Sequence, residues 1–188
     1  VTPIVSDEQD LIDAARTGSV IAFTELVHQY RDRLLRFLVT RCQSYADAED
    51  ALQDTFLSAF RYLHTYDARW RFSTWLYRIA LRNAAGPRGP EGSDPDTLPA
   101  AGSDPLEQCI AASERQNLWL VARRVLSDDV YAALWLRTVE DMSVRDVATV
   151  VNRSESWTKV NLMRARQSLD AALNDDAAPG RSEVYGRA

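Results

Sequence analysis

The chain has 188 residues, 46% of them apolar and 26% charged, and a formal net charge of -5. That composition reads as one or two small soluble globular domains and excludes collagen-like, wholly disordered and membrane-spanning classes. The acidic total also argues against a nucleic-acid binder, which carries a basic footprint, until the charge is divided along the chain.

Apolar residues recur at spacings of three and four through most of the sequence, the period of amphipathic helices. Ser6 and Gln9 have the spacing of a capping box, opening a helix that stops at Gly18. Ala22, Phe23, Leu26, Val27, Tyr30, Leu34, Phe37 and Leu38 form one stripe of a long helix ending near Cys42. A third helix is expected from Asp47 to about His64, and a fourth from Ser73, as its cap, to about Asn83. Between Gly86 and Pro105 fall four of the seven glycines and five of the seven prolines, so no regular element survives there. Beyond it, Leu106–Leu126 reads as helical, Ser127 caps a short helix to Val139, and Ser143 caps another to Val151. A last helix runs from about Glu155 to Leu173, and the polar tail from 174 to 188 reads as disordered. The expected architecture is all-α: a helical bundle over 1–85, a flexible acidic linker over 86–105, and a second bundle over 106–173.

Charge follows these divisions. From Gly89 to Glu114 there are six acids and no Lys or Arg, whereas Arg61–Arg88 holds six Arg against the single acid Asp67. Arg145–Leu169 has five basic residues against two acids. The negative excess therefore sits in the linker, between two basic segments.

Three segments carry candidate function. On the third helix Ala48, Leu52, Phe56, Ala59 and Leu63 share a core face, and Asp47, Asp50, Asp54, Leu57 and Arg61 fall opposite. The acids suit a solvated helix start, but an outward Leu57 beside Asp54 suggests a surface for a basic helical partner. From Tyr66 to Asn83 aromatics interleave with Arg, supplying stacking planes for bases and charge for phosphates. Core packing explains Trp75, Leu76 and Ile79, at helical spacing, better than base stacking does; it does not explain Trp70, Arg71, Arg78 and Arg82. Finally, a short helix, a polar turn at Asn152–Ser154 and a longer basic helix have the layout of a helix-turn-helix, although an ordinary helical hairpin has the same outline. Its inward residues are Val144, Val147, Ala148 and Val151, then Thr158, Leu162, Ala165 and Leu169. Cys42 and Cys109 have no neighbouring Cys or His, so neither a metal site nor a disulfide framework is expected. No phosphate-cradling loop or nucleophile elbow points to an enzyme or to a cofactor.

In this order the parts resemble an extracytoplasmic-function sigma factor of the sigma-70 superfamily. DAEDALQDTFLSAFRYL is similar to its core-polymerase-binding helix and FSTWLYRIALRN to its promoter-melting helix. LSDDVYAALWLRTVEDMSVRDVATVVNRSESWTKVNLMRARQSL is similar to its minus-35-reading domain. The resemblance implies that Asp47, Asp50, Gln53, Asp54 and Leu57 dock on the clamp helices of the polymerase's largest subunit. It implies that Trp70, Arg71, Phe72, Ser73, Thr74, Arg78, Arg82 and Asn83 meet the minus-ten element, the loop from Asp67 to Phe72 capturing an unstacked base. Arg153, Ser156, Trp157, Lys159, Val160, Asn161 and Arg164 would meet the minus-35 element. Further implied partners are the flap of the polymerase's second-largest subunit and an anti-sigma factor, with no membrane contact and, given no basic-then-apolar leader at Val1–Ile4, a cytoplasmic location.

The sequence departs from the family pattern in two places. After Asn83 only Arg88 stands where an Arg/Lys-rich stretch is usual. The family's Gly-Thr-Val-Lys-Ser-Arg is here Ser156-Trp157-Thr158-Lys159-Val160-Asn161, which puts a polar Thr158 inward and opens two readings: an altered minus-35 sequence, with Asn161 on adenine and Val160 on a thymine methyl, or Trp157 in a protein interface. A reading in which residues 106–173 form a free-standing helix-turn-helix regulator leaves the acidic helix and the aromatic-Arg segment without a role; a degenerate or regulatory sigma-like protein is the alternative that a lack of any dependent promoter would favour.

Overall fold

A computed structural model of the chain describes residues 7–84 and 118–176, and every regular element among them is helical. In chain order these are α1 (Glu8–Arg16), α2 (Val20–Val39), α3 (Tyr45–Tyr62), a 3-10 turn at Leu63–Thr65 and α4 (Phe72–Ala84). They continue with α5 (118–125), α6 (Asp128–Thr138), α7 (Val144–Val150) and α8 (Glu155–Asp176). The expected linker at 86–105, Ser6, Cys109 and residues 177–188 lie outside the described residues. The chain divides into two compact units, one made of Val1–Asp94 with Arg145–Asn152 and the other of Pro95–Val144 with Arg153–Ala188.

The first unit is built on α2. Its apolar stripe is buried as the spacing requires, Leu34, Phe37 and Leu38 completely, with Val27 left half-buried at the edge. The helix begins where Ser19 accepts the Ala22 N–H at 3.2 Å. The chain reaches that cap by reversing at Gly18, whose φ of +100° lies in the region that costs glycine least. α1 packs along α2, and α3 and α4 pack on α2 and on each other. Edge-to-face ring pairs lock these contacts: Phe23–Phe60 at 5.0 Å joins α2 to α3, and Phe37–Tyr77 at 5.2 Å joins α2 to α4.

Helix ends differ from the sequence expectation for local reasons. α3 starts at Tyr45 rather than Asp47, because Ser44 is the cap: its Oγ accepts from Asp47 N–H while the Asp47 carboxylate accepts from Ser44 N–H, each at 3.1 Å. α4 starts at Phe72, so Ser73 lies inside the first turn and is buried instead of capping. Ser127 does occupy the cap position of α6, without a side-chain hydrogen bond. α8 runs on to Asp176, so the first residues of the expected tail, Asn174–Asp176, are helical.

In the second unit α6 packs on α8. Trp119 lies against Tyr131 and Trp135, with ring centroids 5.5 and 4.8 Å away, and ties α5 to α6. On α8, Thr158, Leu162, Ala165 and Leu169 are the buried face, as the spacing predicts. The polar member Thr158 is fully buried because its hydroxyl donates to the Ser154 carbonyl at 3.0 Å, which satisfies the group that an apolar site would otherwise leave bare.

Because Leu34 is completely enclosed, Leu34→Ala should cost about 2–5 kcal/mol in urea unfolding with an unchanged m value. Ile21→Ala, at a side chain 85% exposed, should stay within about 0.5 kcal/mol.

Candidate functional surfaces

The inner face of α3 consists largely of small residues, with Ala48, Ala51, Leu52, Thr55 and Ala59 buried and Phe56 half-buried. Burying that face turns Asp50, Gln53, Asp54 and Leu57 outward; all are exposed, Leu57 by 59%. Asp47 is exposed too, but its carboxylate closes the capping box, so it has a structural task already. Phe60, exposed although its ring edge meets Phe23, adds apolar surface three residues beyond Leu57. The sequence pattern did not single out Phe60; its packing on Phe23 fixes the ring there.

The segment between α3 and α4 is closed upon itself. Tyr66, buried, donates its hydroxyl to the Trp70 carbonyl at 2.7 Å, and the Trp70 N–H donates to the Asp67 carbonyl at 3.0 Å. Asp67 accepts from the Arg69 N–H at 3.0 Å with one carboxylate oxygen and from the Arg69 Nε at 2.7 Å with the other. The hydrogen bonds from Arg69 hold the Asp67 carboxyl below its usual range, the side-chain bond contributing most and the backbone bond next. Phe72 is buried among Tyr30, Tyr66 and Trp75, at centroid distances of 5.5, 5.5 and 5.6 Å. Behind it the Tyr30 hydroxyl donates to Glu8; burial first, and then that bond and the charge of Glu8, push the phenol far above its usual range.

Of the minus-ten candidates, Trp70 is half-buried and Arg71 exposed just before α4, and Arg78 and Arg82 are exposed four residues apart on one face of α4. Phe72, Ser73 and Thr74 are buried. Asn83 turns towards α3, its Nδ2 donating to Thr55 Oγ1 at 3.4 Å. Within this unit Thr74 Oγ1 donates to Asp146 at 3.1 Å, and the Arg145 guanidinium lies 4.7 Å from the Trp70 ring centre.

At the start of α8, Ser154 Oγ accepts from the Trp157 N–H at 3.1 Å and so caps the helix. Arg153 donates to Asp129 through Nε at 3.2 Å and through a terminal nitrogen at 2.7 Å, with its guanidinium 5.3 Å from the Trp157 ring centre. Ser156, Lys159, Val160 and Arg164 are exposed, whereas Trp157 and Asn161 are half-buried. The Asn161 Nδ2 donates to the Trp157 carbonyl at 2.9 Å. The turn before the helix is set by Asn152, which takes a left-handed φ of +54° that asparagine tolerates better than most residues.

Residues 26–85 match the Sigma-70 region 2 family, which spans α3 and α4 and most of α2. The RNA polymerase sigma-H factor of Pseudomonas aeruginosa is 28% identical over 88% of this chain and 93% of its own length. The ECF RNA polymerase sigma-E factor of Escherichia coli K12 is 29% identical over 87% of this chain and 92% of its own. The chain belongs to the extracytoplasmic-function sigma factors of the sigma-70 family. Solved structures share the fold of this sigma factor. CnrH, in a complex with the cytosolic domain of CnrY, covers 90% of the chain at 22% identity and a TM-score of 0.66. The sigma factor RpoE, in a co-crystal with the anti-sigma factor NepR from Bartonella quintana, covers 84% at 20% identity and a TM-score of 0.63. Among the described residues no group of His, Cys, Asp and Glu could hold a metal ion, and no helix is long and apolar enough to cross a membrane.

A depressed Asp67 carboxyl stays ionised through the ordinary aspartate range near pH 4, so the loop clamp should hold above that range and open only as pH falls below it. A carboxyl NMR titration should place Asp67 low in the wild type and near the ordinary value in Arg69→Met; an ordinary value with Arg69 intact would contradict the clamp.

Proposed function

We propose that this sigma factor binds core RNA polymerase through the outward face of α3 and directs it to promoters by contacts of α4 with a minus-ten element and of α8 with a minus-35 element. The observation that carries the reading is the pair of opposed chemistries on packed neighbours: Asp50, Gln53, Asp54 and Leu57 on α3, and Trp70, Arg71, Arg78 and Arg82 on and before α4. The first is acidic with an apolar centre and suits the basic clamp helices of the polymerase's largest subunit. The second offers the half-buried Trp70 ring, on which Arg145 lies, together with exposed cations at Arg71, Arg78 and Arg82. A base drawn from the duplex and stacked on an aromatic ring gains about 1–3 kcal/mol, which with phosphate contacts offsets unpairing without nucleotide hydrolysis. Non-catalytic action of this kind matches the regulatory character of the family.

Asp47 joins the polymerase face in the family's pattern, but here its carboxylate first closes the capping box with Ser44. Phe72, Ser73 and Thr74 serve the minus-ten surface from beneath, by supporting Trp70 and the start of α4, and Asn83 by anchoring α4 to α3. On the C-terminal side Lys159, Arg164 and Ser156 face the minus-35 duplex, and Arg153 and Trp157 brace the start of α8. The same helical domain contacts the flap of the second-largest subunit, and an anti-sigma factor competes for the α3 face. The setting is the cytoplasm.

Asp50→Arg with Asp54→Arg should lower core-polymerase capture in a pull-down tenfold or more while leaving far-UV circular dichroism unchanged, since both side chains are exposed. Undiminished capture by the double variant would remove α3 from the interface.

A further inference from the structure

Among the outward residues in the first half of α8, Val160 is 41% and Met163 55% exposed. A single exposed apolar side chain is ordinary on a soluble helix. These two stand three residues apart and so share one face, and the exposed Lys159 and Arg164 flank them. Two of the polar side chains nearby are engaged within the protein. Arg153 is bound to Asp129 and covers Trp157. Asn161 gives one of its two Nδ2 hydrogens to the Trp157 carbonyl. Reading adenine with Asn takes both ends of the amide, the nitrogen to N7 and the oxygen to N6, and here the amide is already tied to the backbone of its own helix.

Beyond Glu155 and Ser156 in the first turn, what remains outward is an apolar pair bracketed by cations. The cations select a polyanion over an apolar protein groove, and in the major groove the one apolar group on a base edge is the thymine C5 methyl. We propose that Val160 and Met163 make thymine the preferred base at two positions of the minus-35 element by packing on its methyl group. Lys159 and Arg164 hold the register on the phosphates, and Asn161 is a positioning residue for the helix start rather than a base reader. The proposal rests on the assignment of α8 to the minus-35 element.

The test uses holoenzyme, made from core polymerase and the full chain, to select duplexes randomised over the minus-35 region. Each enriched thymine is then replaced by deoxyuridine, which deletes the methyl and nothing else. Thymine should be enriched at two positions, and each replacement there should weaken binding about three- to fivefold, the value of one buried methyl. Val160→Ala with Met163→Ala should abolish that sensitivity, and Asn161→Ala should retain it. Lys159→Ala should weaken thymine and uracil duplexes alike and flatten the salt dependence. Equal binding of thymine and uracil duplexes, with Lys159 still required, would overturn methyl reading and leave the minus-35 assignment standing. Selection indifferent to every α8 substitution would overturn that assignment itself.

Discussion

The close packing of α3 against α2 and α4 is the constraint from which the functional surfaces of the first unit follow. Ala48, Ala51, Thr55 and Ala59 present almost no side-chain bulk, so the helix can seat deeply and Leu52 fills the remaining space. Once that face is buried, the helical repeat leaves no freedom over which residues point away: Asp50, Asp54 and Leu57 must be outside. The same packing orients α4, whose Leu76, Tyr77 and Ala80 are buried and whose Arg78 and Arg82 are thereby outward. A larger residue at Ala48 or Ala59 would act on both surfaces at once without touching either partner.

Buried polar groups refine this arrangement. Thr55 is fully buried, and its hydroxyl donates to the Ala51 carbonyl at 2.6 Å while accepting from Asn83, so one side chain links the core of α3 to the end of α4. Thr158 plays the local part of this role in α8, through the Ser154 carbonyl. The loop before α4 is organised by Tyr66 and Asp67, which leave the Trp70 ring half-buried beside exposed Arg71. On the proposed function, ordering the loop before it meets DNA reduces the conformational entropy that must be lost on capture.

Helix content, the split between inward and outward residues on α3 and the buried face of α8 were legible in the sequence, because each rests on the 3.6-residue period alone. Helix ends were less so. Ser44 outcompetes the Asp47 start because two reciprocal bonds close there, and Ser73 loses its cap role because Phe72 finds three ring partners that draw it into the helix. The family resemblance implied Phe72, Ser73, Thr74, Asn83 and Asn161 as DNA contacts, and each is buried or turned towards a protein partner. Composition cannot reveal such commitments, since the partners Tyr30, Thr55, Asp146 and the Trp157 carbonyl are set by tertiary packing or by a turn of helix. Arg153 is a similar case, because Asp129 lies far from it in sequence.

Charge placement joins these observations. The chain's net charge of -5 conceals an acidic stretch from Gly89 to Glu114 between basic segments, so the whole protein repels DNA more than its α4 and α8 faces do. On the proposed function promoter reading therefore depends on polymerase, which supplies positive charge and holds the α4 and α8 faces on one template. The most direct measurement is in vitro transcription from a randomised promoter library with core polymerase, with and without the chain, across several salt concentrations. The account predicts transcripts that require the chain and share two sequence blocks upstream of the start. An absence of chain-dependent transcripts at every salt concentration would contradict it.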